Sequence, residues 1–195
     1  MIPFVGLTGG IGSGKSTALA ALQRLGAATL SSDAVVHELY GAAVVRDAVV
    51  ERYGAEVAPG GIVDRQALAA RVFPDAAERA WLEGLLWPLV GERIRRWREQ
   101  LEQGDLPPRA AVVEVPLLFE AGMDGGFDAT ITVLADETVR ADRAAARGHA
   151  AVDERTSRQL SQQEKAARST YVVSNDGTEA ELQSTLSGVL DMLSP

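Results

Sequence analysis

The sequence predicts an α/β fold, a parallel sheet with helices on both faces. Three observations predict it. Short apolar runs of strand length alternate with longer segments of helical period. A glycine-rich segment, Gly9-Gly10-Ile11-Gly12-Ser13-Gly14-Lys15-Ser16-Thr17, joins the first run to the first helical pattern. The runs are also unevenly spaced, with positions 31–110, read mostly as helix, between the second and the third. The five runs are Ile2–Leu7, Ala28–Leu30, Ala111–Val115, Thr130–Leu134 and Tyr171–Ser174. Helical patterns cover Lys15–Leu25, Asp33–Tyr53, Gln66–Val72, Asp75–Gln103, Glu137–Arg147, Asp153–Arg168 and Thr178–Leu193. There is no internal repeat and no low-complexity tract.

The first run ends at Thr8 and passes into G-x-x-x-x-G-K-[ST], the phosphate-binding P-loop, in its required setting of strand, loop and helix start. Glycines let the backbone curl so that successive N–H groups point at phosphate oxygens. The helix start adds unpaired donors and the positive end of its dipole. Gly10, Ile11, Gly12, Ser13, Gly14, Lys15, Ser16 and Thr17 are therefore candidate ATP contacts. Lys15 offers a point charge to the β- and γ-phosphates, and the Ser16 hydroxyl is a candidate ligand for Mg²⁺. No G-x-G-x-x-G occurs, which excludes the dinucleotide fingerprint. Gly26 is expected to stop the first helix.

After the second strand, Ser31-Ser32-Asp33 is expected to put a carboxylate at the carboxyl edge of the sheet, on the side that holds the P-loop. A helix cap is the competing role for Asp33. A kinase with a hydroxyl acceptor needs a carboxylate to orient that acceptor and take its proton, and beside a P-loop this role is preferred. The stretch that follows far exceeds a simple crossover. It is expected to form a helical insert over 34–108 that holds the second substrate. Within it, Arg93, Arg95, Arg96 and Arg98 read as a solvated face. Gly104-Asp105-Leu106-Pro107-Pro108 closes it.

The third strand ends in Val112-Val113-Glu114-Val115-Pro116, a Walker B pattern in which Glu114 can hold Mg²⁺ through water. After the fourth strand, Arg140, Arg143 and Arg147 share one helix face at spacings of three and four. They serve either as a solvated basic face or as charges that close over the transferred phosphoryl group. Asn175 is the sole asparagine. It is followed by Asp176-Gly177, so the guanine-reading N-K-x-D motif is absent.

Composition narrows the class. The chain has 195 residues, 46% of them hydrophobic, and a net charge of −8. This suits one α/β domain with a small insert and disfavours a nucleic-acid binder. Cysteine is absent, which excludes disulfides, thiolate catalysis and Cys-ligated zinc. No apolar run is long enough to span a membrane. The N-terminus enters a strand with no basic n-region or apolar signal core. Cytoplasm is the expected compartment, with no membrane or obligatory protein partner.

Taken together, these motifs make the chain resemble the dephospho-CoA kinase family, nearly end to end. The P-loop alone fits many NTPases. More selective are Asp64-Arg65-Gln66-Ala67-Leu68 with Val72-Phe73, Pro116-Leu117-Leu118-Phe119-Glu120, Gln159-Leu160 with Glu164-Lys165, and Val172-Val173-Ser174-Asn175-Asp176-Gly177. The resemblance implies a three-layer P-loop kinase fold with a five-stranded parallel sheet in the order 2-3-1-4-5. The implied core is 1–33, 109–138 and 169–195, with the helical CoA-binding insert at 34–108 and a small lid at 139–168. ATP and dephospho-CoA are the implied substrates and Mg²⁺ the implied cofactor. By position, Asp33 is the implied general base, with Lys15 and Arg143 also catalytic. Arg147 and Asn175 are implied at ATP. Thr8, Arg65, Trp87 and Leu117 are implied at dephospho-CoA.

The chain departs from the family pattern in several places. Trp87-Pro88 stands where His-Pro is usual, exchanging an imidazole for a stacking surface with one donor. Core packing is the more common fate of a tryptophan at helical spacing from Leu82 and Leu86. Ser31-Ser32-Asp33 replaces Asp-x-Asp, Glu114 replaces aspartate, Ser169-Thr170 replaces Ala-Asp, and the lid is short. Two alternatives therefore stand beside an active dephospho-CoA kinase. One is a P-loop kinase for a nucleoside or nucleoside monophosphate. The other is a non-catalytic ATP-binding relative, disfavoured by the joint presence of Lys15, Ser16 and Asp33.

Overall fold

The computed structural model describes residues 1–146 and 159–193. The chain divides into two compact units, 1–31 with 100–195, and 32–99. The division expected from sequence set the insert at 34–108. The expected lid, 139–168, includes residues 147–158, which lie outside the described ones.

The first unit is built on five parallel strands: β1 (Phe4–Gly9), β2 (Ala28–Ser31), β3 (Ala111–Glu114), β4 (Ala129–Leu134) and β5 (Tyr171–Ser174). Their order is β2-β3-β1-β4-β5. Register pairs Val5 with Val112 on one side of β1 and with Ala129 on the other. The strand that precedes the P-loop is thus central. The chain leaves β1 for one half of the sheet and later crosses to the other, so β1 marks the topological switch point where such sheets bind ligands.

Alternation along β1 sorts its side chains between two layers. Val5 and Leu7 are fully buried with Ala18, Ala21 and Leu22 of α1 (Lys15–Arg24) and with Leu182, Leu186 and Leu190 near the C-terminus. That terminal helix is numbered α8 and spans Glu179–Leu193. On the opposite face, Gly6 lies against Leu118 and Phe127; a Cβ there would sit 3.0 and 3.1 Å from their side chains. Phe127 also stacks on Phe4 at 4.6 Å between centroids. Thr8, the next residue on this face, meets Lys165 of α7 (Gln162–Arg168). Between β4 and α7, α6 spans Glu137–Ala146.

Local signals set the helix ends. Around Gly26 the chain makes the expected stop: Gly26 N donates to Gln23 O and Ala27 N to Leu22 O, both at 3.0 Å, the Schellman pattern. In the expected helix over Asp153–Arg168, residues 159–161 are not helical, and α7 begins only at Gln162. Ser161 caps it in a reciprocal box with Glu164, so the S-x-x-E signal overrides the continuous period.

The second unit carries α2 (Ser32–Leu39), α3 (Ala43–Tyr53), α4 (Arg65–Val72) and most of α5 (Ala76–Glu102). The sequence predicts one helix over Asp33–Tyr53, but the structure breaks it at 40–42. Gly41 is unfavourable by roughly 1 kcal/mol in a helix interior. Ala42 turns extended (φ −76°, ψ 136°) to start α3 afresh. Buried apolar positions include Val35, Leu39, Val45, Val49, Leu68 and Leu86. On the surface of α5, Glu92 pairs with Arg95 and Arg96, which agrees with a solvated face there.

Candidate active site

The P-loop bridges β1 and α1. Gly14 caps α1 with φ 88°, and Gly12 has φ 78°, both in the left-handed region that glycine tolerates. Space is also restricted at Gly12, because a Cβ would lie 2.5 Å from the carbonyl oxygen of Arg140. Lys15 Nζ donates to Gly9 O at 3.0 Å and to Gly10 O at 3.1 Å, so its ammonium lies over the loop main chain. The first N–H groups of α1 have no intrahelical acceptors, which makes its start an anion site. Ser13 is fully buried, and its Oγ has no hydrogen-bond partner among the described residues. Ser16 and Thr17 lie in the first turn of α1.

Two arginines of α6 reach this loop. Arg140 Nε donates to Ile11 O at 2.9 Å. Arg143 donates from both terminal nitrogens to Asn175 O, each at 3.3 Å. Arg147 lies outside the described residues. Asn175 is 5% exposed, and its side-chain amide donates to Ser13 O at 2.9 Å. Its amide is therefore spent on the loop main chain.

At the carboxyl edge, β3 ends in Glu114, in register with Leu7 of β1 and Ser31 of β2. The Glu114 carboxylate and the exposed Ser16 hydroxyl are hard oxygen donors of the kind Mg²⁺ takes, so the donor chemistry fits that ion.

Thr8 is fully buried. Its hydroxyl donates to Pro116 O at 3.3 Å and accepts from Lys165 Nζ at 3.3 Å, so the protein itself occupies it. Lys165 is fully buried as well; its ammonium also donates to Pro116 O at 2.7 Å and pairs with Glu120 at 2.9 Å. Burial pulls the Lys165 ammonium below the ordinary lysine value, while the Glu120 carboxylate opposes the shift. Leu117 is half-buried in the turn that follows β3, where its carbonyl accepts from Ala121 N at 3.0 Å.

In the second unit, Asp33 is exposed in the first turn of α2. The helix starts at Ser32, so Asp33 is not its cap. Asp64 caps α4 by accepting from Gln66 N at 2.9 Å and Ala67 N at 3.1 Å. That presents Arg65 at the helix start, in contact with His37 Nδ1. Burial raises the phenol pKa of Tyr40, with the positive charge of Arg65 acting against it. Trp87 is 47% exposed, which overturns the core role suggested by its spacing. Leu86 fills the buried position instead.

Sequence reasoning missed three functional candidates: Lys165, Glu120 and His37. A lysine and a glutamate within otherwise apolar or helical motifs were the available signal for the first two. For His37 the signal was its position four residues after Asp33.

The family model for dephospho-CoA kinase matches residues 3–181. The dephospho-CoA kinase of Moorella thermoacetica is 38% identical over 188 residues, 95% of this chain and 88% of that protein. Among solved structures, TT1252 from Thermus thermophilus superposes with a TM-score of 0.80 and 34% identity, covering 100% of this chain and 99% of that one. The dephospho-CoA kinase of Campylobacter jejuni shares the fold with a TM-score of 0.72 and 22% identity, covering 100% and 98%.

Proposed function

The chain belongs to the dephospho-CoA kinase family, and on that premise we propose that it transfers the ATP γ-phosphoryl group to the ribose 3′-hydroxyl of dephospho-CoA. The products are CoA and ADP, so the reaction completes coenzyme A synthesis. The observation that carries this reading within the molecule is one glycine loop at a helix N-terminus that Lys15 and Arg140 bind directly and Arg143 reaches through Asn175.

The main chain of Gly10–Thr17 binds the phosphates. Lys15 and Arg143 of α6, with Arg147, meet the charge that builds on the transferred group. Asn175 serves the ATP site by fixing the Ser13 carbonyl. Asp33 orients the acceptor hydroxyl and accepts its proton as the new O–P bond forms and ADP leaves. Thr8, Leu117, Arg65 and Trp87 form the acceptor side, with Thr8 acting through the main chain it holds. Ser16 and, through water, Glu114 would hold the Mg²⁺ that accompanies ATP, which would supply neutralisation of the phosphate charge. We place the reaction in the cytoplasm, with ATP and dephospho-CoA as the partners. Among the described residues no helix is long and apolar enough to cross a membrane.

A second reading, a kinase for another small acceptor, rests on the half-exposed Trp87 in place of the usual histidine. ADP release measured against dephospho-CoA, nucleosides and nucleoside monophosphates separates the two. The proposed function expects turnover with dephospho-CoA far above the others. Turnover confined to a nucleoside or a monophosphate establishes the second reading instead.

A further inference from the structure

The chain's two lysines, Lys15 and Lys165, both attach to the end of β1. Lys15 binds the carbonyls of Gly9 and Gly10. Lys165 binds the side chain of Thr8, one residue earlier. The first belongs to the P-loop motif, while the phosphate chemistry leaves the second unused.

Lys165 ties β1 and the turn at 116–120 to its own stretch of chain. Its ammonium donates to Thr8 Oγ1 at 3.3 Å, Pro116 O at 2.7 Å and Glu120 Oε2 at 3.2 Å, with Glu120 Oε1 at 2.9 Å. Glu120 Oε1 in turn accepts from Leu160 N at 2.8 Å, ahead of α7. Thr8 closes the ring by donating to Pro116 O. A buried ion pair adds little net stability compared with apolar packing. It contributes directionality: Pro116 O and Thr8 Oγ1 must face a single ammonium, which fixes the turn that carries Leu117 relative to β1.

We propose that Lys165 is a positioning residue for phosphoryl transfer, holding Thr8 and the Pro116–Leu117 turn in register through its pair with Glu120. This rests on the reading of Thr8 and Leu117 as acceptor-side residues. Anchors independent of the ammonium keep α7 in place. Gln162 exchanges hydrogen bonds with Ala135 N and O at 3.1 and 2.9 Å, and Ser169 contacts Thr132. Loss of the ammonium therefore removes the alignment rather than the helix.

The test is steady-state kinetics with ATP and dephospho-CoA varied separately. Lys165→Met is expected to raise KM for dephospho-CoA by about ten- to a hundred-fold, the scale of a small misplacement of a bound group. KM for ATP stays within about two-fold, since the Lys15 contacts are separate. Glu120→Gln gives the same split, and combining the two adds little because they break one unit. Lys165→Arg, which keeps the charge, recovers much of the loss. Should Lys165→Met fail to fold, Thr8→Val reads the same link with nearly unchanged shape and gives a smaller split of the same sign. Michaelis constants that stay unchanged, that rise in parallel, or a kcat that falls only with the folded fraction would overturn the proposal. Wild-type protein inactive on dephospho-CoA would instead overturn the functional reading beneath it.

Discussion

The side-chain amide of Asn175 donates to the main-chain carbonyl of Ser13 at 2.9 Å, tying the turn after β5 to the middle of the phosphate-binding loop. Arg143 extends the link from α6 by donating to Asn175 O. The three residues lie far apart in sequence yet form one chain of hydrogen bonds behind the P-loop.

Asn175→Ala is expected to leave the buried Ser13 carbonyl unpaired and to lower stability by about 1–3 kcal/mol, measured by urea unfolding. Affinity for ATP falls with it, because the loop loses its support. Gly14→Ala should weaken ATP binding further, since φ there is 88° and a methyl group would overlap the same amide. Unchanged unfolding and ATP titration in both variants contradict the arrangement.

Lys15→Met removes the ammonium that lies over Gly9 and Gly10. The expected loss in kcat is ~10²–10³, typical of removing one preorganised charge-stabilising group. ADP release at saturating substrates measures it.

Asp33→Asn keeps the size and loses the proton acceptor. ATP binding should be retained while turnover drops by ~10²–10⁴. Turnover close to wild type removes Asp33 from the role of base.

Acid stability has a local origin in the second unit. Arg52 grips Glu78 with two nitrogens, at 2.6 and 2.8 Å, and Tyr53 adds a third hydrogen bond. The Arg52 hydrogen bonds first, and that of Tyr53 second, hold the Glu78 carboxyl down to about 2, against an ordinary 4.5. Its contribution is therefore fully present above pH 4.5 and lost as pH falls through the folded value. Glu78→Gln is expected to lower Tm at neutral pH, with the gap to wild type closing on acidification toward pH 2. A gap independent of pH refutes this assignment.

The strands and the P-loop were legible because both are local signals: apolar runs of strand length and glycine spacing. The strand order followed from the family resemblance rather than from periodicity. Boundaries failed where a single residue overrode a period, at Gly41 inside the expected helix over Asp33–Tyr53 and at Ser161 ahead of α7. The family resemblance implied Asn175 at ATP and Arg143 as catalytic, but their mutual contact was invisible, because it joins segments that meet only once the sheet is formed. Lys165 was hidden for a related reason. A lysine on a short polar helix looks solvated until β1 and the Pro116 turn close over it. Trp87 misled in the opposite direction, its spacing from Leu82 and Leu86 matching a core face that Leu86 fills instead.

The most direct test of the central claim follows the phosphoryl group itself. Purified protein is incubated with γ-labelled ATP and dephospho-CoA, and the product is analysed for mass and for the position of the label. The predicted product is CoA carrying the label on the ribose 3′-oxygen, formed in step with ADP. Label left in ATP, or released as inorganic phosphate without a phosphorylated acceptor, would contradict a dephospho-CoA kinase.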